Sequence, residues 1–299
     1  MSNVDDLSTL EQDDELAEPL RRVAYEAGMM LGLEATRDEQ AYHRRRLTRQ
    51  QYWLHGYGTL AGMAVSMDPD SHTNSDDDLL VRLHVSPGIG IDGLGREILI
   101  HETYCIDLRE WLLAQTETDL REGYSDADDL LWLKVTVRQK DCALARQPVL
   151  ARKLNLSTDA VQPSRTADSL QLELIAELPP AQETRYQPWS SHHPVADALP
   201  ALTAAEQTTL SELQAANPAA GAQLALHARM LHALDASGIE TLNLADELEQ
   251  GARLLLARIS LQTTDINNLI VNPQRLSINN LVRPFLTTAS QLTWLAQQP

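Results

Sequence analysis

Leu79, Val81, Leu83 and Val85 alternate with Leu80, Arg82, His84 and Ser86, and this period of two predicts a strand that buries one face. Before it, Thr36-Arg37-Asp38-Glu39 has the spacing of a capping box and predicts a helix from there to about Leu54, stopping ahead of Gly56-Tyr57-Gly58. After it, Pro87-Gly88 bends the chain; 89–91, the Asp92-Gly93 turn and 96–100 read as a β-hairpin. Asp107, with Glu110 three residues on, opens a short helix. Leu131, Leu133, Val135 and Val137 share one face of a predicted strand over 130–138, with further strands over 170–176 and 253–261. Thr203-Ala204-Ala205-Glu206 opens a helix that breaks at Asn217-Pro218, and 219–236 forms another, ended by Gly238. The stretch 276–297 is helical by period, interrupted at Pro284.

These elements predict an α+β fold with a small, mainly antiparallel β core assembled from discontinuous segments. An N-terminal helix, a helical insertion and a C-terminal helix decorate it. The expected organisation is an acidic flexible tail over 1–18, a core module over 19–180, a linker over 181–202, the helical insertion over 203–250, and a final strand and helix over 251–299. The tail carries seven acidic side chains and no basic one, so it has no means of collapsing alone. The chain's 299 residues allow two domains, or one with large insertions.

Charge narrows the partners. Twenty-four Lys+Arg against 42 Asp+Glu give a net charge of −18, which repels phosphate backbones and anionic membrane surfaces. Nucleic acid is therefore not expected as the principal partner. Lysine occurs only at 134, 140 and 153; the arginine bias suits bidentate protein contacts and equally a GC-rich genome. Cys105 and Cys142 form no CxxC, leaving one bridge between them as the sole disulfide option. The first residues are acidic where a signal peptide is basic, and no apolar run reaches membrane-spanning length, so cytoplasmic synthesis without membrane insertion is expected.

Candidate chemistry is sparse. Gly88-Ile89-Gly90-Ile91-Asp92-Gly93 matches GxGxxG, yet no helix follows it to receive a pyrophosphate. Gly56 to Ala61 is a looser match in the wrong order, and both glycine sets read as turns. His192, His193 and Asp197 offer three ligands for a zinc-like ion, but adjacent histidines in a strand point opposite ways, and an exposed loop pair is the simpler reading. The acidic runs Asp76-Asp77-Asp78 and Asp128-Asp129 lack EF-hand spacing. There is no GxSxG elbow, and nothing beside Cys142 argues for a thiolate. No catalytic residue, metal ligand or cofactor is expected. Tyr42, Arg45, Arg46, Arg49 and Trp53 do share one side of the first helix, a basic and aromatic stripe whose expected partner in an acidic chain is a carboxylate.

Several blocks repeat a recognisable pattern: Arg22-Val23-Ala24-Tyr25 to Leu31, Glu39-Gln40-Ala41-Tyr42, His55-Gly56-Tyr57-Gly58, Gly62-Met63-Ala64-Val65, Val85-Ser86-Pro87-Gly88, Ile91-Asp92 and Gly95-Arg96-Glu97-Ile98. The 25–100 region resembles a module of largely uncharacterised bacterial proteins associated with extracellular contractile injection systems and phage-tail-like clusters. Its Pro-Gly-x-x-Ile-Asp hairpin is similar to small β-modules of phage baseplate and tail-fibre proteins. The resemblance implies a structural protein of such a particle, at the baseplate or an accessory position, whose partners are baseplate, tube or sheath components or further copies of itself. An assembly chaperone or adaptor is the alternative, and a hydrolase stands third. Gly56, Gly58, Pro87, Gly88, Asp92, Gly95, Arg96 and Glu97 are the structural or interface residues so implied, beside the helical stripe. Departures are mild: Ala61-Gly62-Met63 stands where the pattern has Gly-Leu, and Gly90 precedes Ile91 in place of another small residue. The 203–250 segment has no counterpart in the pattern.

Overall fold

The longest antiparallel pairing joins β10 (Leu130–Pro148) to β11 (Val161–Ala176), in continuous register from Leu133 opposite Ala176 to Pro148 opposite Val161. The computed structural model describes residues 22–73, 79–148, 161–181, 202–221, 223–225, 251–263 and 273–297. The chain divides into two compact units, Met1–Arg185 with Glu249–Pro299, and Tyr186–Leu248.

In the first unit, β12 (Leu254–Gln262) pairs with the other edge of β10, β13 (Leu276–Asn279) extends the sheet beyond β12, and β9 (Tyr124–Ser125) caps the start of β10. Two three-stranded sheets complete the framework. β1 (Gly58–Gly62), β6 (Gly88–Ile91) and β7 (Glu97–Ile100) form one; β2 (Val65–Met67), β5 (Arg82–Val85) and β8 (Tyr104–Asp107) form the other. A minor pair joins β3 (His72–Thr73) to β4 (Leu79–Leu80). Named pairs are all antiparallel, as period-two alternation with one wet face predicts. Leu131, Leu133, Val135 and Val137 are fully buried together with Leu256, Ile259 and Leu261 of β12, Val81, Leu83 and Val85 around β5, and Ile98 of β7. All three sheets thus feed one core.

Helices flank this core: α1 (Leu33–His55), α2 (Leu108–Leu113), α3 (Glu117–Arg121) and, at the end, α5 (Ala289–Ala296). The second unit contributes α4 (Ala204–Ala216), where Thr203 and Glu206 make both bonds of the expected capping box. Asn217 ends it ahead of Pro218, as expected. Asp107 caps α2 by accepting from the Glu110 amide at 3.1 Å.

The α+β class holds, and four local readings change. α1 begins at Leu33 with Gly32 as its cap, so Thr36 lies inside the helix and donates to the Gly32 carbonyl at 3.4 Å. Glu39, freed from a capping role, accepts from the Val23 amide at 3.0 Å and pairs with His43 at 3.1 Å. The strand expected over 79–86 is interrupted at Val81, and from Val81 to Ser86 its burial alternates as predicted. β10 and β11 run about ten residues past the expected strand ends, because their outer halves are held by backbone ladder bonds and carry no apolar alternation. Finally, 276–279 is a strand: Leu276 and Ile278 lie opposite Leu261 and Ile259, and tertiary pairing overrides a helical period. The acidic tail, Asp76-Asp77-Asp78, His192, His193, Asp197 and most of the 219–236 helix lie outside the described residues.

Candidate functional site

Asp92 organises the turn between β6 and β7. One carboxylate oxygen accepts from the amides of Leu94 and Arg96, at 2.9 and 2.8 Å; the other takes the Arg96 guanidinium at 2.6 Å. Asp92 is fully buried and Arg96 is 3% exposed. Burial pushes the Asp92 carboxyl above its ordinary value of 3.8, while the Arg96 charge and the two amides pull it down. Gly95 has φ +79°, and a Cβ there would stand 2.1 Å from the Thr48 carbonyl of α1. The Ile-Asp-x-x-Gly-Arg signature therefore sets a tight turn and lets the helix sit directly on it. Glu97, next along, is exposed.

A second junction gathers the remaining signature residues. The Pro87 carbonyl accepts from the Met63 amide at 3.1 Å, and a Cβ on Gly62, at φ +68°, would approach that carbonyl to 2.1 Å. Gly88 pairs with Gly62 across β1 and β6, Gly56 ends α1, and Gly58 starts β1 opposite Ile91. Arg283, which the sequence reading missed, clamps this junction. Its guanidinium donates to the Met63 carbonyl at 2.8 Å and the Gly62 carbonyl at 3.3 Å, and to the carbonyl and side chain of Asn280. The Asn280 amide group in turn exchanges both hydrogen bonds with the Val65 backbone. Burial lowers the Arg283 pKa to about 10. Its sole sequence cue was a position beside Pro284.

The helical stripe falls on one flank of α1. At about 100° per residue, the buried Ala41 and Tyr52 separate Tyr42, Arg46 and Arg49 from Arg44, Leu47 and Gln51 on the opposite flank. Arg46 donates to the Tyr42 hydroxyl at 2.9 Å, and that bond holds the phenol below its ordinary value of 10.0. Arg45 and Arg49 are half-buried, and the Trp53 side chain lies outside the described residues.

The other flank faces a groove of about 550 Å³ that the sequence reading did not foresee. α1 supplies Arg44, Leu47, Thr48 and Gln51; the β6–β7 turn and the strands beyond it supply Glu97, Leu99, His101 and Tyr104; β10 and β11 supply Gln139, Asp141, Thr166 and Asp168. Asp141 and Asp168 are directly opposite in the β10–β11 register. Their separation in sequence, and their place in the half of the hairpin that lacks apolar alternation, hid them from pattern reading.

Elsewhere the chemistry is that of ion pairs. On the second face of the main sheet, Glu177 takes Arg258 at 2.6 Å and Lys134 at 3.3 Å, and Glu173 takes Arg253 at 2.7 Å and Arg138 at 3.2 Å. His84 pairs with Asp68 at 3.5 Å and lies opposite Cys105 in the β5–β8 register. Cys105 and Cys142 are both free and exposed. Among the described residues, no group of three or more His, Cys, Asp or Glu side chains is placed to hold a metal ion, and no helix is long and apolar enough to cross a membrane. No protein-family model matches the chain, and no curated protein matches its sequence.

Proposed function

We propose that this chain is a structural component of a phage-tail-like contractile injection particle, at a baseplate or accessory position, and works through protein–protein contacts. The observation that carries the reading is the use to which the signature residues are put. Asp92, Gly95 and Arg96 form a buried turn against α1, and Gly62, Pro87 and Gly88 form a junction with no room for side chains. Invested in shape, these residues support a surface built from a long β-hairpin and an arginine-bearing helix flank. Function read from such a scaffold rests on analogy as well as on geometry. In purified particles the tagged chain is expected to co-sediment with sheath and tube. A free pool alone, with normal particles in its absence, would overturn the reading. Exchanging Arg45 and Arg49 for Glu should lower incorporation; a loss confined to retention on a heparin column would point to nucleic acid instead.

A second reading has its own support in the net charge of −18 and the acidic first eighteen residues. They suit an assembly adaptor that binds a basic component and then leaves. Salt-sensitive binding to a particle protein, with absence from finished particles, would select it.

A further inference from the structure

The β10–β11 hairpin outruns the sheet that supports it. β12 pairs with β10 only as far as Val137, and from Gln139 to Pro148 the described partner of β10 is β11 alone. A two-stranded ribbon is marginal in water by itself, and this one leaves Leu144, Ala145, Ser164 and Arg165 exposed.

Charge on the ribbon is sorted by face. Odd positions of β10 and even positions of β11 continue the buried face of Val137 and Leu172 outward, which puts Asp141 and Asp168 together on the front, along the groove. Like charges directly opposite destabilise a pair of strands. Glu97 adds a third carboxylate to the groove lining, which also includes Arg44 and His101, while Arg96 is held by Asp92. The back of the same ribbon carries the opposite sign: the register assigns Lys140, which donates to the Gln171 side chain at 3.1 Å, and Arg165 to it, with the exposed Leu144 directly across from Arg165. An anionic front and a cationic back on one ribbon complement each other between two copies, in a chain whose net charge of −18 otherwise keeps copies apart.

We propose that the ribbon of one copy stacks its back, through Arg165, Lys140 and Leu144, on the front of the next copy's ribbon at Asp141 and Asp168. This contact is head to tail, so it propagates and closes into a ring where the rotation allows. It deepens the particle reading, on which its biological setting rests, but concerns the purified chain.

The test is sedimentation velocity on the full chain over a concentration series at low and raised salt. Salt-sensitive self-association is expected for the natural chain. Asp168→Lys and Arg165→Glu should each raise the association midpoint at least tenfold, with circular-dichroism melts no lower than that of the natural chain, because both side chains are exposed. An equimolar mixture of the two variants should regain the natural midpoint, since each then meets the opposite charge. A natural chain that stays monomeric at low salt, single variants that associate as it does, or a mixture that stays apart would each overturn the proposal. Co-sedimentation with particles is measured separately, so the two readings can fail independently.

Discussion

Asp92 shows how a residue that looks chemical can be wholly structural. Its carboxylate serves three donors at once, two turn amides and the Arg96 guanidinium, in a place without solvent. Removing one member of a buried pair leaves the other charge poorly compensated and typically costs ~3–5 kcal/mol. Asp92→Ala should lose stability on that scale in urea unfolding, whereas Glu97→Ala, one strand position from Arg96 and exposed, should stay within ~0.5 kcal/mol. An Asp92→Ala variant as stable as the Glu97→Ala variant would mean that the turn is held by something else. The turn was legible in sequence because Asp92-Gly93 stands between two short apolar runs. That Gly95 admits α1 was not, since the Thr48 carbonyl it meets lies some fifty residues earlier in the chain.

Elements were legible where apolar residues alternate, and illegible where the backbone does the holding. Leu131 to Val137 announce a strand, but the mixed stretch over 138–148, without apolar alternation, continues it through backbone ladder bonds to β11. The same holds for 276–279, whose pairing with β12 depends on an edge that exists only in the folded sheet. The ion pairs across β10, β11 and β12 are likewise a property of register, and they couple the sheet to pH. At Glu177, burial raises the carboxyl, but the Arg258 hydrogen bond and the Lys134 and Arg258 charges outweigh it and hold the group below its ordinary value of 4.5. The unfolded chain therefore takes up this proton first as pH falls. Its stabilising contribution is complete above the ordinary value and is lost as pH drops through the lowered native one. Stability measured by urea unfolding from pH 7 to pH 3 should fall less steeply in Glu177→Gln than in the natural chain, and parallel curves would remove Glu177 from the account.

Among the described residues, the main apolar cluster draws on one of the two units. Its described buried members lie between Met63 and Ala176 or between Leu254 and Leu261, while the second unit occupies Tyr186–Leu248. β11 and β12 both run antiparallel to β10, so they are parallel to each other, and the second unit lies within the crossover that joins them. A connection of this kind needs length and imposes little else, because closure entropy changes only slowly with loop length. Replacing Tyr186–Leu248 by a short Gly/Ser linker should leave a chain with a cooperative thermal transition and the β signature of its far-ultraviolet circular dichroism. A broad, non-cooperative melt would show that the first unit needs the second to fold. The same variant separates the surfaces by role: if it folds and still sediments with particles, the contacts belong to the hairpin and helix flank of the first unit, and if it folds and is lost from them, they belong to the inserted helices.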